Sequence, residues 1–276
     1  MKKSKLLIIV YSALAVISLA LSLILKIEGT RVYMSGFLTL MSSHVWNLGK
    51  ANPVVFIGSI MACAVGAYLL GSTNFAILIS REEHNDDIRK YGSKNAGMTN
   101  MIRVYGKRDG IMTAVGDAVK TACAVLVSRF LLGEFGAYLA GLFCVLGHIA
   151  PIWYKFRGGK GVIASAIAIL ILNPVYFLII FAVFAIVFLT SHYVSMGSVL
   201  AAFTYPCVVF IGAKITTDGG VPSPTAIVFA FFVGVMIIVM HRENIRRVYY
   251  GEEKKMYLRK DSEKKSGKPK KKDWEV

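Results

Sequence analysis

A glycine-rich run with two basic side chains is the segment of this chain best suited to bind a phosphate. It reads Phe156-Arg157-Gly158-Gly159-Lys160-Gly161 and separates two apolar stretches. Glycines let backbone N–H groups approach a ligand closely because no Cβ intervenes. A helix predicted to begin at Gly161 would add the positive end of its dipole. Gly161 stands where a nucleotide-binding loop needs Ser or Thr to hold Mg²⁺, so the run predicts a phosphate site without ATP.

Two oppositely charged side chains, Asp117 and Lys120, lie three positions apart inside an apolar run. This spacing puts both on one face of a helix. Charges within a membrane span are costly and usually pair or line a polar cavity. The pair therefore predicts a functional cavity, with a structural ion pair near the membrane interface as the alternative.

A loop rich in hydrogen-bonding side chains precedes this pair. Residues 92–100 combine Gly, Ser, Asn and Thr, which favour turns and supply many neutral donors and acceptors. Arg89 precedes the loop and Arg103 follows it. The composition fits either a substrate-binding loop or an ordinary interhelical connection, and it does not decide between them.

A third polar group, His241, Glu243 and Asn244, follows the last apolar run. A basic flank that stops membrane transfer accounts for the neighbouring arginines but not for these three side chains in one turn. His148, just ahead of the glycine-rich run, is interpreted as a hydrogen-bonded packing histidine.

Long apolar runs must position these groups. The 276 residues are 55% hydrophobic, with a mean hydropathy of +0.59. Runs long enough to cross roughly 30 Å of hydrocarbon occupy residues 6–25, 54–80, 111–132, 174–190, 194–212 and 224–240, and shorter runs, 137–152 and 161–172, flank the glycine-rich run. The predicted fold is an all-α polytopic membrane protein.

The four cysteines are scattered singly, so neither a disulfide framework nor a metal site is predicted.

The basic residues assign the two sides of the membrane. If eight helices cross and both termini are cytoplasmic, 26 of the 32 Lys and Arg residues lie inside and only Lys26, Arg31, Lys50 and Lys214 lie outside. The positive-inside rule expects this asymmetry. The predicted organisation is an N-terminal transmembrane helix with its external loop (1–53), a membrane domain (54–251) and a basic, disordered cytoplasmic tail (252–276).

The formal net charge of +16 follows mostly from this topology. The lysine-rich tail would be drawn to anionic lipid headgroups by roughly 1 kcal/mol per nearby basic residue. No basic fold with interleaved aromatic residues is visible in the sequence, so nucleic acid is not an expected partner.

Taken in order, the polar segments resemble those of a known enzyme family. Residues 67–72, 87–100, 116–120, 147–161 and 241–244 are similar in sequence and spacing to the motifs of the bacterial acyl-phosphate-dependent glycerol-3-phosphate acyltransferases. The resemblance implies a seven-helix core, to which residues 1–52 add an eighth helix. It also implies transfer of an acyl group from acyl phosphate to the 1-hydroxyl of sn-glycerol 3-phosphate, giving lysophosphatidic acid and phosphate. No cofactor is expected, and the site would face the cytoplasm at a bacterial plasma membrane.

The resemblance and the polar segments together give candidate roles. The residues expected to be catalytic are Ser72, Arg89, Lys120, His241 and Asn244. Those expected to bind substrate are Asn95, Thr99, Asn100, Arg103, Gly158, Gly159, Lys160 and Gly161, and those expected to be structural are Glu243 and Asp117. His241 is the candidate general base, although a substrate phosphate could take the proton instead, and Ser72 is a less favoured acyl-accepting nucleophile. Lys94 stands where the family usually has glycine.

Other functions fit less of the sequence. Acyl-CoA-dependent glycerolipid acyltransferases typically carry His-x4-Asp, and none of the five histidines has Asp five residues on. A CDP-alcohol phosphotransferase would need several aspartates on one helix. A transporter of a phosphorylated metabolite is the main alternative, because intramembrane charges and short helices around a glycine-rich run are compatible with one.

Overall fold

The computed structural model describes residues 2–28, 53–216 and 220–257, which fold into helices joined by short connections. In chain order the helices are α1 (Lys3–Glu28), α2 (Pro53–Ser72), α3 (Phe75–His84), α4 (Met98–Tyr105), α5 (Lys107–Ile149), α6 (Val162–Leu172), α7 (Pro174–Ser191), α8 (Val194–Thr216), α9 (Pro224–Met240) and α10 (Arg242–Tyr249). Single-turn 3₁₀ helices, Ile88–Lys90 and Ile152–Tyr154, follow α3 and α5. The all-α prediction is confirmed. The predicted external loop (29–52) and most of the predicted tail (258–276) lie outside the described residues.

Local sequence accounts for several helix ends. The Asn74 side chain accepts a hydrogen bond from the Ile77 N–H (3.1 Å) and so caps α3. Ser223 caps α9 in the same way, with Pro224 in its first turn. α5 is broken at Gly133, whose φ of 65° suits glycine and strains other residues. This break separates the two apolar runs that the sequence predicts there.

Small residues let the helices around the site approach closely. A Cβ on Gly71 would overlap the Cys144 carbonyl, and one on Gly147 would overlap the Tyr68 carbonyl, so α2 and α5 touch backbone to backbone. Such contacts are typical of helices in membranes, where van der Waals packing replaces the hydrophobic effect. Apolar side chains of α5 to α9 form one core, and a second core joins α1, α3 and α4 to α5.

Large apolar side chains such as Ile186, Phe203 and Val228 are exposed along these helices, as contact with lipid requires. By length and composition, four helical segments in the described part of the chain can cross a membrane, or five if the bent pair α9–α10 forms one span. The chain is therefore a multi-pass membrane protein. The count of eight crossings stays a prediction.

The C-terminal boundary differs from the one predicted at residue 252. Glu253 is only 9% exposed, and the Met256 N–H donates to the His192 carbonyl (2.9 Å). Gly251, with φ 72°, follows α10 where the chain turns back towards α8. Glu253 and Met256 therefore contact the membrane domain and do not belong to a separate tail.

Candidate active site

A polar cavity of about 200 Å³ lies where α4, α6 and α8 begin. Gly97 and Gly161, which precede α4 and α6, supply no side-chain cap. The first N–H groups of a helix are unpaired and carry the positive end of its dipole, so this arrangement suits anions. The polar side chains lining the cavity are Ser93, Asn95, Thr99, Asn100, Arg103, Asp117, His148, Lys160, Ser195, Ser198, His241 and Asn244.

The predicted site residues divide into two groups by position. Those on the cavity wall are Asn95, Thr99, Asn100, Arg103, Asp117, Lys160, Gly161, His241 and Asn244. Those off the wall are Ser72, Arg89, Lys120, Gly158, Gly159 and Glu243. The side chains of the second group do not line the space that a ligand would occupy.

The glycine-rich run is folded against the end of α5 rather than open along its length. The N–H groups of Gly158 and Gly159 donate to the carbonyls of Ile149 (3.0 Å) and His148 (3.1 Å). The expectation that these glycines offer free N–H groups to a ligand is therefore corrected. A Cβ on Gly158 would overlap the His148 carbonyl, and one on Gly159 would overlap the His148 imidazole, so both glycines are needed for packing. Only the end of the run, from Lys160 on, lines the cavity.

Arg89 holds this run in place. Its guanidinium donates to the carbonyls of Tyr154 (2.9 Å) and Arg157 (2.8 Å). It also pairs with Asp87 (2.7 Å), which fixes its orientation. Arg89 therefore positions the loop that carries Lys160.

Lys120 is fully buried behind the cavity wall. Its ammonium donates to the carbonyls of Gly71 (3.0 Å) and Thr73 (2.7 Å). It also lies 3.1 Å from His148 Nδ1 and 2.8 Å from Asp117 Oδ1. His148 Nδ1 faces both this ammonium, from which it can accept, and Asp117 Oδ1 at 3.5 Å, to which it can donate when protonated. Lys120 thus neutralises Asp117 and orients His148, both of which line the cavity.

Ser72 is buried between α2 and α3. Its Oγ accepts a hydrogen bond from the Ile152 N–H (3.4 Å). This contact ties the end of α2 to the connection after α5.

His241 ends α9 with its imidazole in the cavity wall. Its Nδ1 lies 2.7 Å from the Ile237 carbonyl oxygen, which can only accept, so Nδ1 carries the proton. Nε2 is then the ring nitrogen that can take a proton from a substrate.

A chain of polar contacts joins α10 to the glycine-rich run. Asn244 Oδ1 accepts a hydrogen bond from Lys160, and Asn244 Nδ2 donates to Glu253 (2.7 Å). The Glu253 carboxylate also accepts from Ser195 Oγ (3.1 Å) and Arg247 Nε (2.7 Å). It therefore fixes Asn244 and the start of α8 relative to Lys160.

The sequence does not predict that Glu253 and His148 belong to the site. Glu243, expected to be the structural glutamate, is exposed, whereas Glu253 belongs to the predicted tail. Gly251 was the available signal, since a glycine just after a helix often marks a reversal of the chain. His148, predicted to be a packing residue, also lies on the cavity wall.

The electrostatic setting of Lys160 favours an anionic ligand. Burial lowers the pKa of Lys160 to about 8, Glu253 opposes this shift, and Arg247 and Arg103 add to it. A phosphate beside the ammonium would restore the charged form, because an opposite charge at close range favours it.

Asn100 organises the hydrogen-bonding loop, residues 92–100. Its Nδ2 donates to the carbonyls of Tyr91 and Asn95 (3.0 Å each), and its Oδ1 accepts from the Ser93 N–H (2.9 Å). Lys94 has φ 57°, a left-handed conformation that costs a residue with a Cβ roughly 1 kcal/mol. That conformation explains why glycine suits this position.

An apolar groove of about 350 Å³ adjoins the polar cavity. It is lined by side chains of α6, α7, α8 and α9, among them Ile167, Phe181, Tyr205 and Val233. The residues that line both spaces are Met98, Val162, Ile163, Phe184 and Ser198. A ligand with a charged head and a hydrocarbon chain can therefore occupy both at once.

A multi-pass helical membrane protein with a cavity lined by basic and polar side chains beside an apolar groove is suited to a ligand with an anionic head and a hydrocarbon chain. Comparison with known proteins identifies the family. Residues 61–251 match the model of the family described as glycerol-3-phosphate acyltransferase. The chain therefore belongs to the glycerol-3-phosphate acyltransferase family, and it is an integral membrane acyltransferase.

Individual relatives agree with the family match. The glycerol-3-phosphate acyltransferase of Finegoldia magna is 38% identical over 197 residues, which cover 68% of this chain and 92% of that protein. The enzyme of Clostridioides difficile is 38% identical over 211 residues, covering 74% and 99%. A crystal structure of PlsY, an integral membrane glycerol 3-phosphate acyltransferase, in its glycerol 3-phosphate form has a TM-score of 0.66 and 32% identity, covering 72% of this chain and 96% of that one.

Proposed function

We propose that this protein transfers a fatty acyl group from acyl phosphate to the 1-hydroxyl of sn-glycerol 3-phosphate, releasing 1-acyl-sn-glycerol 3-phosphate and phosphate. The observation that carries the proposal is the continuity of the polar cavity with the apolar groove. Lys160, Arg103 and the helix N-termini suit the phosphates of both substrates. The groove suits the acyl chain of the donor. The PlsY relatives have crystal structures in glycerol 3-phosphate and lysophosphatidic acid forms, which correspond to the acceptor and the product.

The proposed chemistry is direct transfer. The glycerol hydroxyl oxygen bonds to the acyl carbonyl carbon, and the bond from that carbon to the phosphate oxygen breaks, with its electron pair leaving on phosphate. The hydroxyl proton passes to His241 Nε2 or to the departing phosphate. An acyl phosphate is a mixed anhydride with a good leaving group, so positioning and preorganised charge supply most of the catalysis. Ser72 is fully buried and does not line the cavity, which supports direct transfer over an acyl-serine intermediate.

The test uses the full-length protein purified in detergent with palmitoyl phosphate and glycerol 3-phosphate. We expect phosphate and lysophosphatidic acid to appear in equal amounts, and only when both substrates are present. Palmitoyl-CoA in place of palmitoyl phosphate is expected to give no product. Acylation from palmitoyl-CoA would contradict the proposed donor, and glycerol 3-phosphate flux into proteoliposomes without phosphate release would instead support a transporter.

We further propose that the cavity and the N-terminus face the cytoplasm. Ser4, at the start of α1, bonds to Glu82 near the end of α3, so the N-terminus and the hydrogen-bonding loop lie at one end of the molecule. The basic residues concentrate at that end, as the positive-inside rule expects. The lysines of residues 258–276 would then meet the anionic leaflet.

Cysteine labelling tests this orientation. In a background with the exposed Cys207 replaced by serine, Lys3→Cys and Lys94→Cys are expected to resist an impermeant maleimide in intact cells and to react in inverted vesicles. Lys214→Cys, near the opposite end of α8 from the cavity, is the control and is expected to show the reverse pattern. Reaction of the first two in intact cells would invert the assigned orientation.

A further inference from the structure

The whole of helix α1 lies outside residues 61–251, the part of the chain that matches the family model. It nevertheless contacts α3 beside the site. The Ser4 N–H and Oγ both bond to the Glu82 carboxylate, at 3.1 and 2.7 Å from Oε2. Lys2 pairs with Glu83 in the same turn. A carboxylate at the first N–H groups of a helix satisfies them and complements the dipole, so the start of α1 is held at the end of α3.

Further along α1, Tyr11 reaches the connection between α2 and α3. Its ring packs edge-on against Phe75, with centroids 6.5 Å apart and planes at 84°, and its hydroxyl lies 3.5 Å from Thr73 Oγ1. Phe75 is fully buried, and a Cβ on Gly116 would overlap its ring. Phe75 is therefore enclosed between α1 and α5, beside the residue that precedes Asp117.

The same connection holds the buried cation of the site. The Thr73 carbonyl accepts a hydrogen bond from Lys120 Nζ (2.7 Å). Asn74 donates to the Ala96 carbonyl (3.3 Å), next to the hydrogen-bonding residues of the cavity wall. A displacement of residues 73–75 would therefore move Lys120 and the adjoining loop together.

We propose that α1 braces this connection and that Tyr11 is a positioning residue for the reaction. Through Phe75 and the Thr73 carbonyl it sets the place of Lys120, which in turn holds Asp117 and His148 on the cavity wall. This inference rests on the proposed acyl transfer, because that reaction is its readout.

Three full-length variants test the brace by the rate of palmitoyl phosphate-dependent transfer per folded, monodisperse protein. Tyr11→Ala is expected to lower kcat about tenfold, since small displacements of positioned groups have effects of this size or larger. Tyr11→Phe keeps the ring contact with Phe75 and is expected to retain most of the activity. Leu14→Ala truncates an exposed side chain of the same helix and is expected to leave kcat unchanged.

A double-mutant cycle separates positioning from simple loss of fold. In the background Asp117→Asn/Lys120→Met, where the group to be positioned is absent, Tyr11→Ala is expected to leave the residual rate unchanged. A tenfold loss in both backgrounds, or a wild-type rate for Tyr11→Ala, would overturn the brace. Failure of the acyl transfer itself would differ from both, because the unmodified protein would then show no product.

Discussion

Replacing Lys120 with methionine is expected to lower acyl transfer to a small but measurable residual rate and to destabilise the protein at the same time. Methionine keeps the side-chain length but leaves Asp117, which is 1% exposed, as an uncompensated buried carboxylate. Removing one partner of a buried ion pair costs about 3–5 kcal/mol. For a domain of this size that corresponds to a lower thermal midpoint by on the order of 10 °C. The measurements are thermal unfolding in detergent and palmitoyl phosphate-dependent phosphate release.

The double variant Asp117→Asn/Lys120→Met separates the two effects. It buries no unpaired charge, so most of the lost stability is expected to return. Activity is expected to stay low, because His148 loses the contact with the Lys120 ammonium that orients its ring. Recovery of both properties would show that Lys120 only balances a charge, and a fully active Lys120→Met variant would remove it from the mechanism.

The membrane helices could be predicted because lipid imposes one simple requirement, a long apolar run with internal backbone hydrogen bonds. Runs 174–190 and 224–240 correspond closely to α7 and α9. Run 54–80 predicts one helix, whereas α2 ends at Ser72 and α3 begins at Phe75 in the structure. The Asn74 cap explains the break, and its weak signal was hidden in an otherwise apolar stretch.

The site could be predicted in composition but not in arrangement. The types of its charged and polar residues were readable because such residues are rare within apolar sequence. Which of them face the ligand depends on contacts between distant parts of the chain. Lys120, expected to be catalytic, lies behind the cavity wall, and Asp117, expected to be structural, lies on it. The carbonyls of Gly71 and Thr73 bind the lysine ammonium away from the cavity. Periodicity along one helix carries no information about those carbonyls.

Glu253 illustrates the same limit at the end of the domain. Its partners, Asn244, Arg247 and Ser195, lie on two different helices. Its neighbours in sequence are charged and suggest a solvated tail. The composition therefore predicts that Glu253 lies in a solvated tail. The carboxylate reaches the site because the chain turns back after α10.

Glycerol 3-phosphate is expected to bind less tightly above pH 8 because Lys160 then loses its charge. The pKa of Lys160 is lowered to about 8 from its ordinary 10.5, first by burial. The free enzyme holds the ammonium below pH 8 and releases its proton as the pH rises further. The substrate phosphate is already dianionic there, since phosphate monoesters have a second pKa of about 6. We expect KM for glycerol 3-phosphate to rise steeply from pH 8 to 9.5, by up to about tenfold per pH unit.

The deprotonation of Lys160 above pH 8 does not also destabilise the folded protein. The folded protein has the lower pKa at this lysine, so between pH 8 and 10.5 the unfolded chain binds more protons and this group's contribution to the free energy of unfolding increases with pH. A rise in KM over that range therefore reports binding and not loss of the fold.

Two variants at Lys160 complete the test. Lys160→Met removes the charge at every pH and is expected to raise KM at pH 7 about 100-fold, equivalent to about 3 kcal/mol for a charge-assisted hydrogen bond, with no further rise above pH 8. Lys160→Arg stays protonated throughout, so its KM is expected to be intermediate and flat from pH 7 to 9.5. Steady-state phosphate release at varied glycerol 3-phosphate measures all three proteins. If KM of the unmodified enzyme stays flat to pH 9.5, or Lys160→Met matches it at pH 7, the glycerol phosphate does not bind at Lys160.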